Sequence, residues 1–180
     1  GYSSISHAGF MMLGLAAGTM FGQQALIFYL YAYLFGSLLV ISAMTLWETP
    51  ASHHEISEYA GLRDKSPWLA AAMIVGLVSL AGVPPLIGFF GKFLLLIAIL
   101  EKQLYWLAAV SLVGVGASLY YYLRVVRAVY FARGDIGPHP VPALHQKVIL
   151  GSLIVLTIFF GLYQDPLWRQ ASAQWLDWLS

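Results

Sequence analysis

The sequence predicts an all-α fold, a polytopic membrane protein of about five transmembrane helices with the third one discontinuous. Three observations predict it. The composition is of membrane type, with 60% hydrophobic residues, 9% charged residues and a mean hydropathy of +0.77, whereas soluble domains are roughly a quarter charged. Apolar stretches recur at lengths that cross a bilayer, and one of them is interrupted midway by Ala81-Gly82-Val83-Pro84-Pro85. The basic residues outside the stretches gather on one side when that interrupted stretch is counted as a single crossing.

Residues 5–21 and 24–47 form the first two stretches, each supplying roughly the 20 residues that span about 30 Å of hydrocarbon. Residues 48–66 carry Glu48, His53, His54, Glu55, Glu58, Arg63, Asp64 and Lys65 and read as a loop. The third stretch, residues 67–100, would be about 51 Å long as one helix at 1.5 Å per residue, too long for an unbroken crossing. Pro84 and Pro85 remove two N–H donors and clash with the preceding turn, and Gly82 relaxes the backbone beside them. Gly88 and Gly91 extend the zone of broken structure. Residues 104–131 and 146–164 complete the set, joined by a loop at 132–145. The chain therefore divides into a transmembrane region, 1–165, and an amphipathic interfacial tail, 166–180, with Trp168, Trp175 and Trp178.

Charge placement separates a broken crossing from a tight hairpin at 67–100. With one crossing, Arg63, Lys65, Arg124, Arg127, Arg133 and Lys147 share a face against Lys102 and Arg169; with a hairpin the same eight divide four against four. The positive-inside rule favours the first. Loops 48–66 and 132–145 then face the cytoplasm, and the C-terminal tail lies on the outer side. Arg124 and Arg127, one turn apart, serve that topology.

Several function classes drop out. A formal charge of +1 provides no basic field for nucleic acid. Without cysteine there is no disulfide, zinc–thiolate site or iron–sulfur cluster, so thiolate-ligated redox cofactors belong on other chains. His53 and His54 beside Glu55 lack further spaced ligands and read as a solvated loop rather than a metal site. With Gly1 in place of a start Met and no signal peptide, the chain reads as a fragment.

All eight acidic residues lie in loops or at the ends of stretches, which leaves Lys92 as the one deeply placed charge. A lysine at a helix centre costs roughly 2.5–3.5 kcal/mol on insertion scales and is tolerated where it faces a wet cavity or a partner. An amine taken out of water also exchanges its proton far more readily, which suits proton transfer. The competing reading is a lysine that snorkels to the interface or pairs statically with another subunit. Its coincidence with a broken helix favours the ion site, because transporters build such sites on unwound backbone at mid-depth. His7, within Ser3-Ser4-Ile5-Ser6-His7, is a possible relay because imidazole titrates near neutral pH, set against an ordinary hydrogen-bonded histidine. Tyr29 and Tyr33, with Tyr31 and Tyr120 to Tyr122, are candidates to line a hydrated path, set against interface anchoring.

With the break and Lys92 in place, the chain resembles the C-terminal part of the antiporter-like membrane subunits of NADH-quinone oxidoreductase, respiratory complex I, and among them the N subunits. The resemblance covers essentially the whole chain. GYSSISHAGF (Gly1 to Phe10), SLAGVPPLIGFFGKF (Ser79 to Phe93) and LYYYLRVVRAVY (Leu119 to Tyr130) carry it. GKF, where the sister M subunits have GEF, points to N, as do Tyr29, Tyr33 and Ser37 where L subunits carry histidines and a lysine.

The resemblance implies the last five helices, ten to fourteen, of a fourteen-helix fold with two inverted repeats. Lys92 then matches the lysine of the broken helix that serves the outlet half of a proton channel. The implied activity is that of a translocase subunit coupling quinone reduction by NADH to proton pumping in respiratory electron transport, with no redox catalysis in this chain. NADH, FMN, iron–sulfur clusters and quinone would be bound by other subunits, and this chain would hold no cofactor or metal. The partners implied are the neighbouring membrane-arm subunits and the lipid of a bacterial inner membrane. The acidic residue and second lysine of the family's first repeat are absent here, so the chain would hold about half of a pathway. The alternatives are a membrane subunit of a multisubunit cation/proton antiporter or membrane-bound hydrogenase, and a scaffold without a proton path.

Overall fold

Turn chemistry, rather than hydropathy, sets where the helices begin and end in the computed structural model. It describes residues 2–47, 55–132 and 142–177, with side chains described for 3–47, 55–132 and 142–173. Glu48, His53, His54, Arg133, Asp135 and the side chains of Trp175 and Trp178 lie outside these residues. Among the described residues every regular element is helical: α1 (Tyr2–Ala17), α2 (Met20–Trp47), a 3-10 turn (Ile56–Tyr59), α3 (Leu62–Lys65), α4 (Pro67–Ala81), α5 (Ile87–Glu101), α6 (Tyr105–Phe131), α7 (Leu144–Leu162) and α8 (Asp165–Asp177). Helices α2, α6 and α7 are long and apolar enough to cross a membrane, and α4 is a shorter apolar helix.

The first boundary falls a turn earlier than the apolar stretches indicate. Gly18 adopts φ +58° and ends α1, and the Thr19 hydroxyl accepts the Gly22 N–H at 3.0 Å to start α2. Hydropathy runs on through Met20 and Phe21, so only this cap marks the turn.

Helix α2 is the axis of the fold, and α4 and α5 lie end to end along it, antiparallel. Leu39, Ala43 and Trp47 of α2 share a core with Leu69, Ala70 and Met73 of α4, while Ala25 and Tyr29 share another with Leu95, Ala98 and Ile99 of α5. Backbones meet closely in both halves. A Cβ on Gly76 would come within 2.9 Å of the Gly36 carbonyl oxygen, and one on Gly91 within 2.7 Å of the Tyr29 ring. In a hairpin both arms would meet the same part of α2, so the register describes one broken rod.

The ends of the bundle separate the basic residues. Trp47 donates its indole N–H to the Glu58 carbonyl at 3.1 Å, and the Arg63 guanidinium lies 4.7 Å over the Tyr130 ring. These contacts tie the 3-10 turn to the C-terminal end of α2 and α3 to that of α6, where Lys65, Arg124 and Arg127 also lie. Gln146 and Leu150 of α7 face Ser42 and Leu46 at the same end and bring Lys147 there. At the opposite end Trp168 of α8 rests 5.4 Å from the Phe21 ring, and Leu167 and Ala171 are buried. The tail is thus docked on α2, with Arg169 and Asp165 forming an exposed ion pair.

Candidate functional site

The site forms where α1, α2 and α6 meet the gap between α4 and α5. Gly82, with φ +85°, closes a Schellman turn on α4: its N–H reaches the Ser79 carbonyl at 2.9 Å and the Val83 N–H reaches the Val78 carbonyl at 3.2 Å. Pro84 and Pro85, joined by a cis bond, then prevent the helix from continuing until Ile87. A helix end leaves carbonyls without donors, and a helix start leaves N–H groups without acceptors. Both sets are answered from within the break. The Ser79 hydroxyl accepts the Gly88 N–H at 3.3 Å, and the Lys92 ammonium donates to the carbonyls of Leu80 at 2.9 Å and Ala81 at 3.0 Å.

Glycine is required on both sides of this arrangement. A Cβ on Gly88 would collide with the Ser79 carbonyl, and one on Gly82 would meet the Lys92 stem at 2.9 Å. Gly161 of α7 lies against the Pro85 carbonyl with no space for a side chain. Lys92 is 6% exposed, faces the negative end of the α4 dipole, and has the Phe10 ring 5.0 Å from its Nζ. No carboxylate among the described residues pairs with it. Its hydrogen-bond partners are the two backbone carbonyls.

Beside the break runs a hydrogen-bonded line of side chains. Ser3, His7 and Phe10 occupy one face of α1 at helical spacing. His7, 3% exposed, bonds the Tyr29 hydroxyl through Nδ1 at 2.6 Å and the Tyr122 hydroxyl through Nε2 at 2.9 Å, and the Ser3 hydroxyl bonds Tyr122 in turn. Each member is able both to donate and to accept, so the line can pass a proton by reorienting. His7, Tyr29 and Tyr33 face Ser79, Leu80 and Gly88 across a narrow gap, and Leu80 on its far side is one of the two residues whose carbonyls Lys92 holds. On the other side of Lys92 a cavity of 320 Å³ opens between α5 and α6.

Of the tyrosines singled out, Tyr29 is a direct partner of His7, and the Tyr33 ring lies tilted beside His7 with centroids 4.9 Å apart. Tyr120 is 75% exposed and lies outside the site. Tyr122 and Ser3 were undervalued by the sequence reading. A signal was there: Ser111, Ser118 and Tyr122 fall on one face of α6. The Leu80 and Ala81 carbonyls had none, because backbone acceptors leave no trace in residue type. Among the described residues no three His, Asp or Glu side chains cluster as a metal site.

Residues 1–118 match the model of a family described as the NADH:quinone oxidoreductase/Mrp antiporter transmembrane family. The chain belongs to this family. It is 38% identical over 173 residues to NADH-quinone oxidoreductase subunit N of Moorella thermoacetica, covering 94% of the chain and 36% of that protein. It is 46% identical over 126 residues to NAD(P)H-quinone oxidoreductase subunit 2 of Nostoc punctiforme, covering 70% and 24%. The chain thus spans about a third or less of the length of these curated relatives. Respiratory complex I from Thermus thermophilus with bound aureothin superimposes at a TM-score of 0.82 with 31% identity, over 93% of this chain and 38% of that one. The Mrp complex from Dietzia superimposes at 0.76 over 95% and 40%, and at 21% identity shows the shared fold alone. The family resemblance, the polytopic helical fold and the discontinuous third stretch expected from the sequence therefore hold.

Proposed function

We propose that the chain is part of a proton-translocating membrane subunit of an NADH-quinone oxidoreductase, in which Lys92 takes up and releases the transported proton and His7 relays it with Tyr29 and Tyr122. The observation that carries this reading is the buried Lys92 ammonium on the carbonyls of the broken helix, without a carboxylate counter-ion among the described residues and close to the Ser3–Tyr122–His7–Tyr29 line. Capping α4 needs only hydrogen-bond donors, which a neutral amide supplies without the insertion cost of an ammonium, about 3 kcal/mol. The ability to lose a proton is what lysine adds.

In this reading residues 67–100 are the third of five crossings, the basic end faces the cytoplasm, residues 1–165 form the transmembrane region and the tail from 166 lies at the outer surface of an inner membrane. NADH oxidation and quinone reduction, with FMN and the iron–sulfur clusters, take place on other subunits, and the membrane-arm subunits of complex I are its partners. The test is proton uptake by sealed vesicles during NADH oxidation: Lys92→Met abolishes the share of pumping that passes through this subunit, and unchanged pumping overturns the assignment. An antiporter subunit is the second reading, since the family description names the Mrp antiporters too. Its mark would be transport that depends on sodium in the absence of NADH.

A further inference from the structure

The hydrogen-bonded line beside the break has unequal ends. At one end the Tyr29 hydroxyl bonds His7 Nδ1 at 2.6 Å and makes no other hydrogen bond among the described residues. Tyr29 is 1% exposed and His7 3%, both enclosed by this chain's own helices, so nothing packed on the outside of the bundle reaches them. At the other end Tyr122, also buried, is held by His7 Nε2 at 2.9 Å and by the Ser3 hydroxyl. Tyr121 stands at that end too, its ring 4.5 Å from the Tyr122 ring and its buried hydroxyl without a hydrogen-bond partner among the described residues. Acceptors for a hydroxyl proton therefore gather around Tyr122, whereas Tyr29 has Nδ1 alone.

A neutral imidazole donates through one nitrogen and accepts through the other, and a phenol carries one proton. With the imidazole proton on Nδ1, the ring would donate to Tyr29 and leave the buried Tyr29 O–H without an acceptor; a doubly protonated ring would do the same. With the proton on Nε2 each of these donors has an acceptor. Tyr29 then donates to Nδ1, Nε2 donates to Tyr122, and Tyr122 donates to Ser3, which is partly exposed in the first turn of α1, where its own O–H is not confined to a single acceptor. We propose that Tyr29 is a positioning residue that holds His7 as its Nε2–H tautomer and so polarises the line from Tyr29 to Ser3. The cost of a buried unpaired donor makes this arrangement preferred by between about fivefold and 150-fold. The polarity gives the two ends different roles. A proton arriving at the Tyr29 oxygen, across the gap from Ser79 and Leu80, forms an O–H bond there as the original Tyr29 proton passes to Nδ1. The Nε2 proton passes to Tyr122, that of Tyr122 passes to Ser3, and Ser3 releases its own, so one proton enters and one leaves without any redox change. This use of the line rests on the function proposed above; the tautomer itself does not.

The test reads the imidazole nitrogen resonances of the whole complex in its membrane, with isotopically labelled histidine. The pair lost in His7→Gln belongs to His7; where that variant does not assemble, the pair is the one shifted by both Tyr29→Phe and Tyr122→Phe. The expected pair is a protonated Nε2 and an unprotonated, hydrogen-bonded Nδ1, in at least about fivefold excess over the other tautomer. Tyr29→Phe removes the donor and moves the Nδ1 resonance to that of an imidazole nitrogen without a hydrogen bond. Tyr122→Phe moves the Nε2 resonance and leaves Nδ1 unprotonated. A ring protonated at Nδ1, a comparable mixture of tautomers such as a second acceptor on Tyr29 would produce, or an Nδ1 resonance unmoved by Tyr29→Phe each overturn the proposal. Conversion to the Nδ1–H tautomer in Tyr122→Phe overturns it as well, since the polarity would then be set from the other end. The resonances are read without turnover. The expected tautomer together with parental pumping by Tyr29→Phe and Lys92→Met would therefore leave the polarity standing and remove the line from the proton path.

Discussion

Replacing Lys92 by Met removes the titratable amine while keeping an unbranched chain of similar length, and the structure sets the stability cost. Two charge-assisted hydrogen bonds, at 2.9 and 3.0 Å, are lost from the end of α4, each contributing roughly 1.5–3 kcal/mol. Against this stands relief from holding an ammonium at mid-depth, roughly 2.5–3.5 kcal/mol. The two partly offset, leaving a net destabilisation of about 1.5 kcal/mol that a multi-helix assembly withstands. Proton transfer has no such compensation, because removing a positioned acid–base group typically slows its step by roughly 10²–10⁴-fold. The Met variant is thus expected to assemble and to oxidise NADH with artificial acceptors, but to lose quinone-linked proton pumping through this path. Lys92→Arg separates the two roles. Its guanidinium still caps the Leu80 and Ala81 carbonyls but does not release a proton at accessible pH, so Arg should melt like the parent and pump like Met, while His retains partial activity. The assay is proton uptake and NADH oxidation in reconstituted vesicles, with thermal melting of the purified complex. Parental pumping by Met refutes the proton role, and parental pumping by Arg shows that charge alone suffices.

Three further outcomes are expected. Since this chain has no native cysteine, single cysteines at Asp64 and Glu101 should react with impermeant reagents from opposite sides of the membrane; labelling from one side would restore the hairpin. Gly88→Ala pushes a Cβ into the Ser79 carbonyl and should destabilise the complex by about 1–3 kcal/mol, read as a lower melting temperature; an unchanged melt would mean that the half-helices can separate freely. Tyr122→Phe removes the hydroxyl held by His7 and Ser3 and should slow pumping while costing about 1 kcal/mol. Tyr120→Phe on the exposed face should do neither, and equal effects of the two would count against the relay.

Particular residues show how far the site was legible in the sequence. Lys92 stood out because a charge inside an apolar run is costly and therefore visible in composition. His7 and Tyr29 were visible as titratable or hydroxyl-bearing residues in membrane stretches, but their bond was not, since they belong to different helices. Tyr122 was one of three adjacent tyrosines, and only the rotation of α6 separates it, facing His7, from Tyr120, facing outward. The first helix boundary was missed because hydropathy averages over Gly18 and Thr19, whereas a cap is a local hydrogen bond.

Some properties follow from local causes and need no knowledge of neighbours. Hydropathy makes the chain a membrane protein, backbone hydrogen bonding in hydrocarbon makes it helical, and Pro84 with Pro85 breaks the third stretch wherever that stretch is placed. The charge count predicts the orientation of the stretches from the same kind of local information. Which groups satisfy one another is a matter of three-dimensional proximity. The pairing of Lys92 with two backbone carbonyls, the two-sided bonding of His7, and the cavity between α5 and α6 depend on helix rotation and on the close approach allowed by Gly76 and Gly91. Residue type reports the cost of burying a polar group, and tertiary structure alone decides which partner offsets it.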